Sequence, residues 1–116
     1  MRHVFIINPK AGKQDQTARI YAMADALRTR HGLTCECLLT SGPGGGTELA
    51  RRAAESGEEV RLYACGGDGT IFEVANGIAG LDNAAMTCIS AGTGNDFLKN
   101  FGDQMPLFSD AENLWD

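Results

Sequence analysis

The chain has 116 residues, of which 43% are hydrophobic, and this length fits one globular domain and no more. Its formal net charge of −5 argues against a nucleic-acid-binding protein, because such proteins need a basic face to displace counterions from phosphates. No apolar stretch approaches the roughly 20 residues of a transmembrane segment, although a local basic patch would still permit transient contact with a membrane surface.

Short apolar runs alternate with amphipathic patterns along the chain. Strands are predicted at residues 4–7, 33–40, 60–65 and 86–90, and helices at about 15–31, 47–56 and 70–78, with short helical turns near 96–100 and 110–115. Each parallel connection needs a crossover, usually a helix. The alternation therefore predicts an α/β fold, a three-layer α/β/α domain around a mostly parallel sheet.

Each predicted strand ends in a polar or glycine-rich segment. These segments are residues 8–13, 40–42, 66–70 and 92–96. Because ligands bind at the carboxyl ends of the strands in open parallel sheets, the four segments predict one shared binding site. The glycine-rich stretch at residues 42–46 is expected to be a mobile loop, since consecutive glycines lose much entropy when they become ordered.

The clearest chemical pattern is Gly-Gly-Asp-Gly-Thr at residues 66–70. Glycines after a strand allow a sharp turn and let backbone amides approach an anion, and the following helix adds its N-terminal dipole. Asp68 would hold Mg²⁺ indirectly, accept loop amides or bind a ribose hydroxyl. From the local pattern alone, a tight turn with Asp68 as its cap is an open alternative.

Two polar residues follow this pattern on one face of the predicted helix, Glu73 and Asn76. Thr70 and Glu73 also fit a capping box, and Asn76 with Gly77 fits a helix-ending signal. Neither explanation accounts for the sequence Gly-Thr-Gly-Asn-Asp-Phe at residues 92–97, which repeats a glycine-rich, acidic pattern after the fourth strand.

Three ordered motifs resemble the diacylglycerol kinase catalytic domain, and most closely the bacterial soluble lipid kinases. They are Asn-Pro-Lys-Ala-Gly-Lys at 8–13, Gly-Gly-Asp-Gly-Thr with Glu73 and Asn76 after it, and Gly-Thr-Gly-Asn-Asp-Phe at 92–97. The resemblance implies the N-terminal fold shared by NAD kinases and diacylglycerol kinases. A NAD kinase relative and a sphingosine or ceramide kinase are the alternatives within enzymes.

The resemblance implies a site for ATP and Mg²⁺. The implied nucleotide-binding residues are Asn8, Gly12, Lys13, Thr40, Gly66, Gly67, Asp68, Gly69, Thr70, Glu73, Asn76, Gly92, Thr93 and Asn95. Asp96 is the candidate for organising the metal. Glu73 and Asn76 would support the phosphate loop from its own helix, and Lys10 would serve the same electrostatic purpose as Lys13.

The resemblance further implies that residues 1–116 form the nucleotide-binding domain of a longer kinase acting on diacylglycerol or a related lipid. A second, β-rich domain would hold the lipid pocket and the catalytic base. Phosphoryl transfer depends on positioning by both sides of a cleft, so this chain alone is expected to bind nucleotide without phosphorylating lipid. A short, non-catalytic nucleotide-binding module is the alternative from another class.

The cysteines predict a reduced, cytoplasmic protein. Cys35, Cys37, Cys65 and Cys88 include no Cys-x-x-Cys pair, which argues against a structural zinc site. Most of them lie in apolar runs, where a free thiol behaves as a small hydrophobic group. An exposed Trp115 would favour self-association, so a homo-oligomer is a further expectation.

Overall fold

The structure, a computed structural model, describes residues 1–10, 15–90, 111 and 114. In chain order its elements are β1 (Arg2–Ile7), α1 (Thr17–His31), β2 (Thr34–Leu39), α2 (Gly45–Ala54), β3 (Val60–Gly66), α3 (Asp68–Ile78) and β4 (Ala84–Ser90). Each of them lies where the sequence predicts an element of that type, so the α/β class is confirmed.

The described strands form one sheet in the order β2-β1-β3-β4, and every neighbouring pair is parallel. The central strand β1 pairs with β2 on one side and β3 on the other, with Arg2 opposite both Thr34 and Val60. The chain leaves β1 toward β2 and later crosses back to β3. The boundary between β1 and β3 is therefore a topological switch point, where open α/β sheets bind ligands.

The two faces of the sheet are covered by different helices, which gives the predicted three layers. Val4 and Ile6 of β1 pack under α2 and α3, while Phe5 and Ile7 of the same strand pack under α1. All four side chains are at most 1% exposed. Burial of each such side chain contributes about 1.5–3 kcal/mol, so β1 anchors both cores.

Two helices begin earlier than the sequence predicts. Helix α2 begins at Gly45 rather than Thr47, so part of the expected glycine-rich loop is helical. Helix α3 begins at Asp68 rather than Thr70, with Gly67 at its N-cap position. Helix α1 ends at a glycine cap, because Gly32 has a left-handed φ of 66° and donates its N–H to Arg28 O at 3.0 Å.

Helices α2 and α3 pack closely at Gly77. A Cβ on Gly77 would lie 2.5 Å from Thr47 O and 2.8 Å from Ala50 Cβ, which is closer than real side chains approach. Helix α3 continues to Ile78. Gly77 therefore permits close helix packing. It does not end the helix, although the Asn76-Gly77 pattern fits a helix-ending signal.

The far end of the chain is described only at Ala111 and Leu114, which belong to the core under α1. Leu114 donates its N–H to Ala111 O at 2.9 Å, and the Arg61 guanidinium donates to Leu114 O at 2.9 Å. The helical turn predicted near residues 96–100 and Trp115 lie outside the described residues.

Among the helices that the structure describes, none combines the length and the apolar character needed to cross a membrane.

Candidate functional site

A pocket of about 430 Å³ opens at the carboxyl edge of the sheet. Its walls are residues 8–10 after β1, residues 40–43 after β2, and the side chains of Thr70 and Glu73 on α3. The structure thus brings together Asn8, Thr40, Thr70 and Glu73, which the sequence places in three separate segments. This is the convergence of strand ends that a parallel sheet predicts.

Asn8 is fixed at the pocket wall by two hydrogen bonds. Its backbone N–H donates to Cys65 O at 3.0 Å and so extends the β1–β3 pairing by one residue. Its side-chain Oδ1 accepts the Lys10 N–H at 3.0 Å, which forms a local Asx turn. The turn sets the direction in which the chain leaves β1 and carries Lys10 to an exposed position in the pocket lining.

Thr40 follows β2 and is fixed to the centre of the sheet. Its backbone N–H donates to Ile7 O at 2.8 Å, one residue beyond the β1–β2 register. Its half-buried side chain forms part of the pocket, and the exposed residues Ser41, Gly42 and Pro43 continue that wall.

Thr70 contributes a buried hydroxyl group to the pocket. The residue is 5% exposed, and its hydroxyl has no hydrogen-bond partner among the residues that the structure describes. A buried polar group without a partner costs about 1–3 kcal/mol, so such a group in a pocket is a candidate ligand contact. The position depends on Gly66, because a Cβ there would lie 2.4 Å from Thr70 Oγ1.

The glycines of this segment provide space rather than an unusual backbone. Gly66, Gly67 and Gly69 all lack the positive φ that the expected sharp turn would require, since β3 passes almost directly into α3. A Cβ on Gly67 or Gly69 would meet no described atom within 4 Å. The first-turn amides of α3 have no acceptor within their own helix, and anion-binding helix N-termini use such amides.

Asp68 is the first residue of α3 and is exposed. An acidic side chain in the first turn interacts favourably with the helix dipole. Burial raises the pKa of the Cys88 thiol to about 11, and the nearby Asp68 carboxylate is the second cause. Asp68 therefore lies on the β4 side of α3, whereas Thr70 and Glu73 face the pocket.

Glu73 does not form the capping box with Thr70, because α3 begins before Thr70. Its carboxylate instead reaches the start of α2, where it accepts the Gly46 N–H at 2.8 Å and the Gly44 N–H at 3.4 Å. The Thr47 hydroxyl donates to Glu73 O at 2.8 Å and closes the contact. No local sequence pattern indicates this link, which joins residues 27 positions apart.

Asn76 lies away from the pocket. It is exposed near the end of α3, about 12 Å along the helix axis from Asp68 at 1.5 Å per residue. Its backbone oxygen accepts a hydrogen bond from the Arg51 guanidinium at 3.4 Å. The structure therefore does not place Asn76 with the other predicted residues.

Six of the predicted site residues lie outside the described part of the chain and stay predictions. They are Gly12, Lys13, Gly92, Thr93, Asn95 and Asp96.

The described residues contain no group of three or more His, Cys, Asp or Glu side chains that would hold a metal ion. Mg²⁺ in nucleotide sites is usually bound by one or two carboxylates together with substrate phosphates and water. Asp68, exposed beside the first-turn amides of α3, fits that limited role.

A second pocket of about 300 Å³ lies between α1 and the outer strand β2. It is lined by Tyr21, Asp25, Arg28 and Cys37 and contains none of the predicted site residues. Arg28 donates to Cys35 O at 2.7 Å, so this arginine covers part of the exposed edge of β2. That contact protects an edge strand from unwanted pairing, which is a structural role.

A parallel sheet with a pocket at its switch point and a helix N-terminus beside it defines an α/β domain of the kind that suits anionic ligands. The chain belongs to the diacylglycerol kinase catalytic domain family, whose profile matches residues 2–115. The resemblance drawn from the three motifs is thereby confirmed, and the family is one of lipid kinases.

Individual relatives agree with this assignment. The chain is 35% identical over 104 residues to the diacylglycerol kinase of Bacillus subtilis strain 168, covering 84% of this chain and 32% of the relative. It is 39% identical over 93 residues to a diacylglycerol kinase of Staphylococcus epidermidis strain ATCC 12228, covering 79% of this chain and 29% of the relative.

A solved structure has the same fold. The crystal structure of a diacylglycerol kinase from Bacillus anthracis strain Sterne superposes with a TM-score of 0.72 at 26% identity, covering 99% of this chain and 39% of that chain. The chain thus spans about a third of the length of the curated relatives that it matches.

Proposed function

We propose that this chain is the ATP-binding part of a lipid kinase that transfers the γ-phosphate of ATP to a hydroxyl of diacylglycerol or a related lipid. The observation that carries the proposal is the buried hydroxyl of Thr70, which has no hydrogen-bond partner among the described residues and lies in a pocket whose other walls come from the ends of β1 and β2. Membership of the diacylglycerol kinase catalytic domain family supports the same reaction class.

The nucleotide phosphates would lie over the first turn of α3. Backbone amides of this first turn would provide donors there, and the helix dipole favours negative charge. The Thr70 hydroxyl would donate to a phosphate oxygen from the pocket side. Asn8 would act from the opposite wall through its NH₂ group, because its side-chain oxygen already accepts the Lys10 N–H.

Two further roles follow from charge and position. Lys10 is exposed at the pocket and would attract the anionic phosphates, while Thr40 would contact the nucleotide from the end of β2. Asp68 would orient Mg²⁺ through its water ligands, and the ion would neutralise charge on the phosphates. Asp96, Lys13 and their neighbours keep the roles predicted from the sequence.

Lipid phosphorylation would require more than this chain. The chain spans only 32% of the diacylglycerol kinase of Bacillus subtilis that it matches. We propose that the lipid pocket and the catalytic base lie in the remaining part of the whole protein, across a cleft from the loops described above. The four free cysteines agree with a reducing compartment, and a cytoplasmic location stays a prediction.

A nucleotide titration tests the proposal. Isothermal titration of the chain with ADP should give saturable binding that strengthens when Mg²⁺ is added. Asp68→Asn should remove most of the Mg²⁺-dependent gain, about tenfold if one water-mediated carboxylate contact is lost. Asp82→Asn is the matched control, because Asp82 is exposed just before β4, at the opposite edge of the sheet.

Absence of saturable binding up to millimolar ADP would overturn the nucleotide site. Equal Mg²⁺ dependence in Asp68→Asn and Asp82→Asn would instead remove only the role given to Asp68.

A further inference from the structure

We propose that Glu73 is a positioning residue that ties the wall at residues 40–46 to α3 and so sets nucleotide affinity without contacting the nucleotide. The inference rests on the proposed nucleotide site and assigns Glu73 a different task from supporting its own phosphate loop. It concerns two walls of one pocket, one carried by α3 and the other by the segment between β2 and α2.

Both oxygens of the Glu73 carboxylate are engaged by the start of α2. Oε1 accepts the Gly46 N–H at 2.8 Å and Oε2 accepts the Gly44 N–H at 3.4 Å. A Cβ on Gly46 would lie 2.8 Å from Oε1, so a larger residue there would push the carboxylate away from this amide. Gly44 has a φ of 79°, a left-handed conformation that also favours glycine. The glycine-rich segment is thus fitted to the carboxylate.

The same contact decides where an anion can bind. Helix α2 has Gly44 at its N-cap, which offers no side-chain cap, and the Glu73 carboxylate takes that place from the neighbouring helix. Among the described elements, the N-termini of α2 and α3 border this pocket. Because Glu73 already supplies the anion at α2, a phosphate is directed to α3, where a Cβ on Gly67 or Gly69 would meet no described atom within 4 Å.

The wall between these helices has few other attachments among the described residues. Thr40 is held by its N–H bond to Ile7 O, and Ser41, Gly42 and Pro43 are exposed. The far end of the wall is held by the bonds to Glu73 and by the Thr47 hydroxyl. Removing the carboxylate takes two hydrogen bonds from this end of the wall and leaves the Thr47 bond to Glu73 O and the turn bond from the Gly45 N–H to Gly42 O at 3.0 Å, so the wall becomes less ordered. The nucleotide must then order it on binding, which lowers affinity.

Substitutions at Glu73 test this coupling, with Glu48 as the control. Glu73→Ala should weaken MgADP binding by about tenfold, since losing a helix cap and ordering a loop are effects of that size. Glu73→Gln should lie between Glu73→Ala and the unmodified chain, because its amide oxygen still accepts one N–H without the charge. Glu48→Ala should bind as the unmodified chain does, because Glu48 lies in the first turn of α2 but pairs with Arg52 on the exposed surface.

Amide hydrogen exchange provides a second, local readout. In Glu73→Ala the Gly44 and Gly46 amides should exchange faster than in the unmodified chain, and MgADP should slow them more than it does in the unmodified chain. This reciprocal effect is required if ligand and carboxylate order the same wall. A general loss of packing would instead speed exchange at amides throughout the chain, and nucleotide would slow all of them together.

The outcomes separate this inference from the proposed function. If the unmodified chain fails to bind MgADP, the nucleotide site and the inference both fall. If the unmodified chain binds and Glu73→Ala binds equally well, or if exchange at Gly44 and Gly46 does not change, only the inference is overturned. Should Glu73→Ala not fold, the comparison of Glu73→Gln with Glu48→Gln gives the same decision.

Discussion

Gly66 and Thr70 share one small volume where β3 meets α3. A Cβ on Gly66 would lie 2.4 Å from Thr70 Oγ1 and 2.9 Å from Thr70 Cβ. The threonine side chain occupies the space that any larger residue at position 66 would need. The two residues of the Gly-Gly-Asp-Gly-Thr pattern are therefore linked by packing, independently of any ligand.

Gly66→Ala should consequently displace Thr70 and destabilise the chain by about 1–3 kcal/mol, the usual cost of overpacking. Urea unfolding followed by circular dichroism measures the change. The double variant Gly66→Ala with Thr70→Ala should lose less stability than the sum of the single variants, because the closest contact, the one with Thr70 Oγ1, is removed. If the loss of stability in the double variant equals the sum of the losses in the two single variants, Gly66 and Thr70 are not linked by packing.

Thr70→Val separates a ligand contact from a structural one. Valine keeps the shape of threonine and removes a buried hydroxyl that has no partner among the described residues. We expect unfolding stability to stay the same or to rise by up to about 1 kcal/mol, while MgADP affinity falls several-fold. If Thr70→Val instead lowers the free energy of unfolding by about 1 kcal/mol and leaves MgADP affinity unchanged, the hydroxyl stabilises the fold and does not contact the ligand.

Gly69→Ala should also change stability and binding in opposite directions. Alanine at this position meets no described atom within 4 Å and has a higher helix propensity, so α3 should gain roughly 0.5 kcal/mol. The added methyl group would project into the space assigned to phosphate and should weaken MgADP binding. Ala75→Gly, on the exposed part of α3, is the control that should lower stability and leave affinity unchanged.

The acid side of the stability profile should depend on His3. Burial lowers the pKa of His3, with smaller contributions from Arg61 and the terminal amino group, and its Nδ1 lies 2.9 Å from the Tyr63 hydroxyl. The unfolded chain therefore binds a proton more readily than the folded one. The stability that the folded chain gains from a neutral His3 is fully present above the unfolded pKa of about 6.5. It is lost as the pH falls toward the lower pKa that His3 has in the folded chain.

Unfolding free energies at about pH 7.5 and pH 5.5 measure this effect, which cannot exceed about 1.4 kcal/mol per pH unit for one proton. His3→Gln should flatten the dependence between these pH values. His31→Gln should keep it, since His31 is exposed at the end of α1. An identical slope in both variants would show that other groups cause the loss of stability.

The chain alone should not act as a lipid kinase. Incubation with MgATP and diacylglycerol in mixed micelles should give no sustained phosphorylation, because positioning of the acceptor is proposed to need the remainder of the whole protein. Radiolabelled ATP and lipid extraction measure the product. Continuous turnover by the purified chain would contradict the proposed division of roles.

The sequence predicts the sheet and the pocket because both follow from local patterns. The buried runs of β1 and β3 are continuous and apolar, and Gly32 marks the end of α1. Once the strands are parallel, Asn8, Thr40 and Thr70 must meet at one edge. No knowledge of side-chain contacts is needed for this step.

The parts that depend on contacts between helices could not be predicted in this way. Helix α2 starts early because its cap comes from Glu73 on α3, and no pattern around residues 42–46 reveals a partner so distant in sequence. A glycine at position 77 looks the same in the sequence whether it ends a helix or, as here, makes room for Ala50 of the neighbouring helix α2. Asn76 shares a helix face with Glu73 in part, but its position along α3 removes it from the pocket.

The order of the strands also determines when the sheet can close during synthesis. Strand β1 leaves the ribosome first and can pair with β2 once residues 34–39 follow, but its other edge must wait for residues 60–66. At about 5–20 residues per second, the buried centre of the finished sheet keeps an unpaired edge for a second or more. Nascent chains are therefore most exposed to wrong strand pairing and to chaperone binding at the strand that is later the best protected.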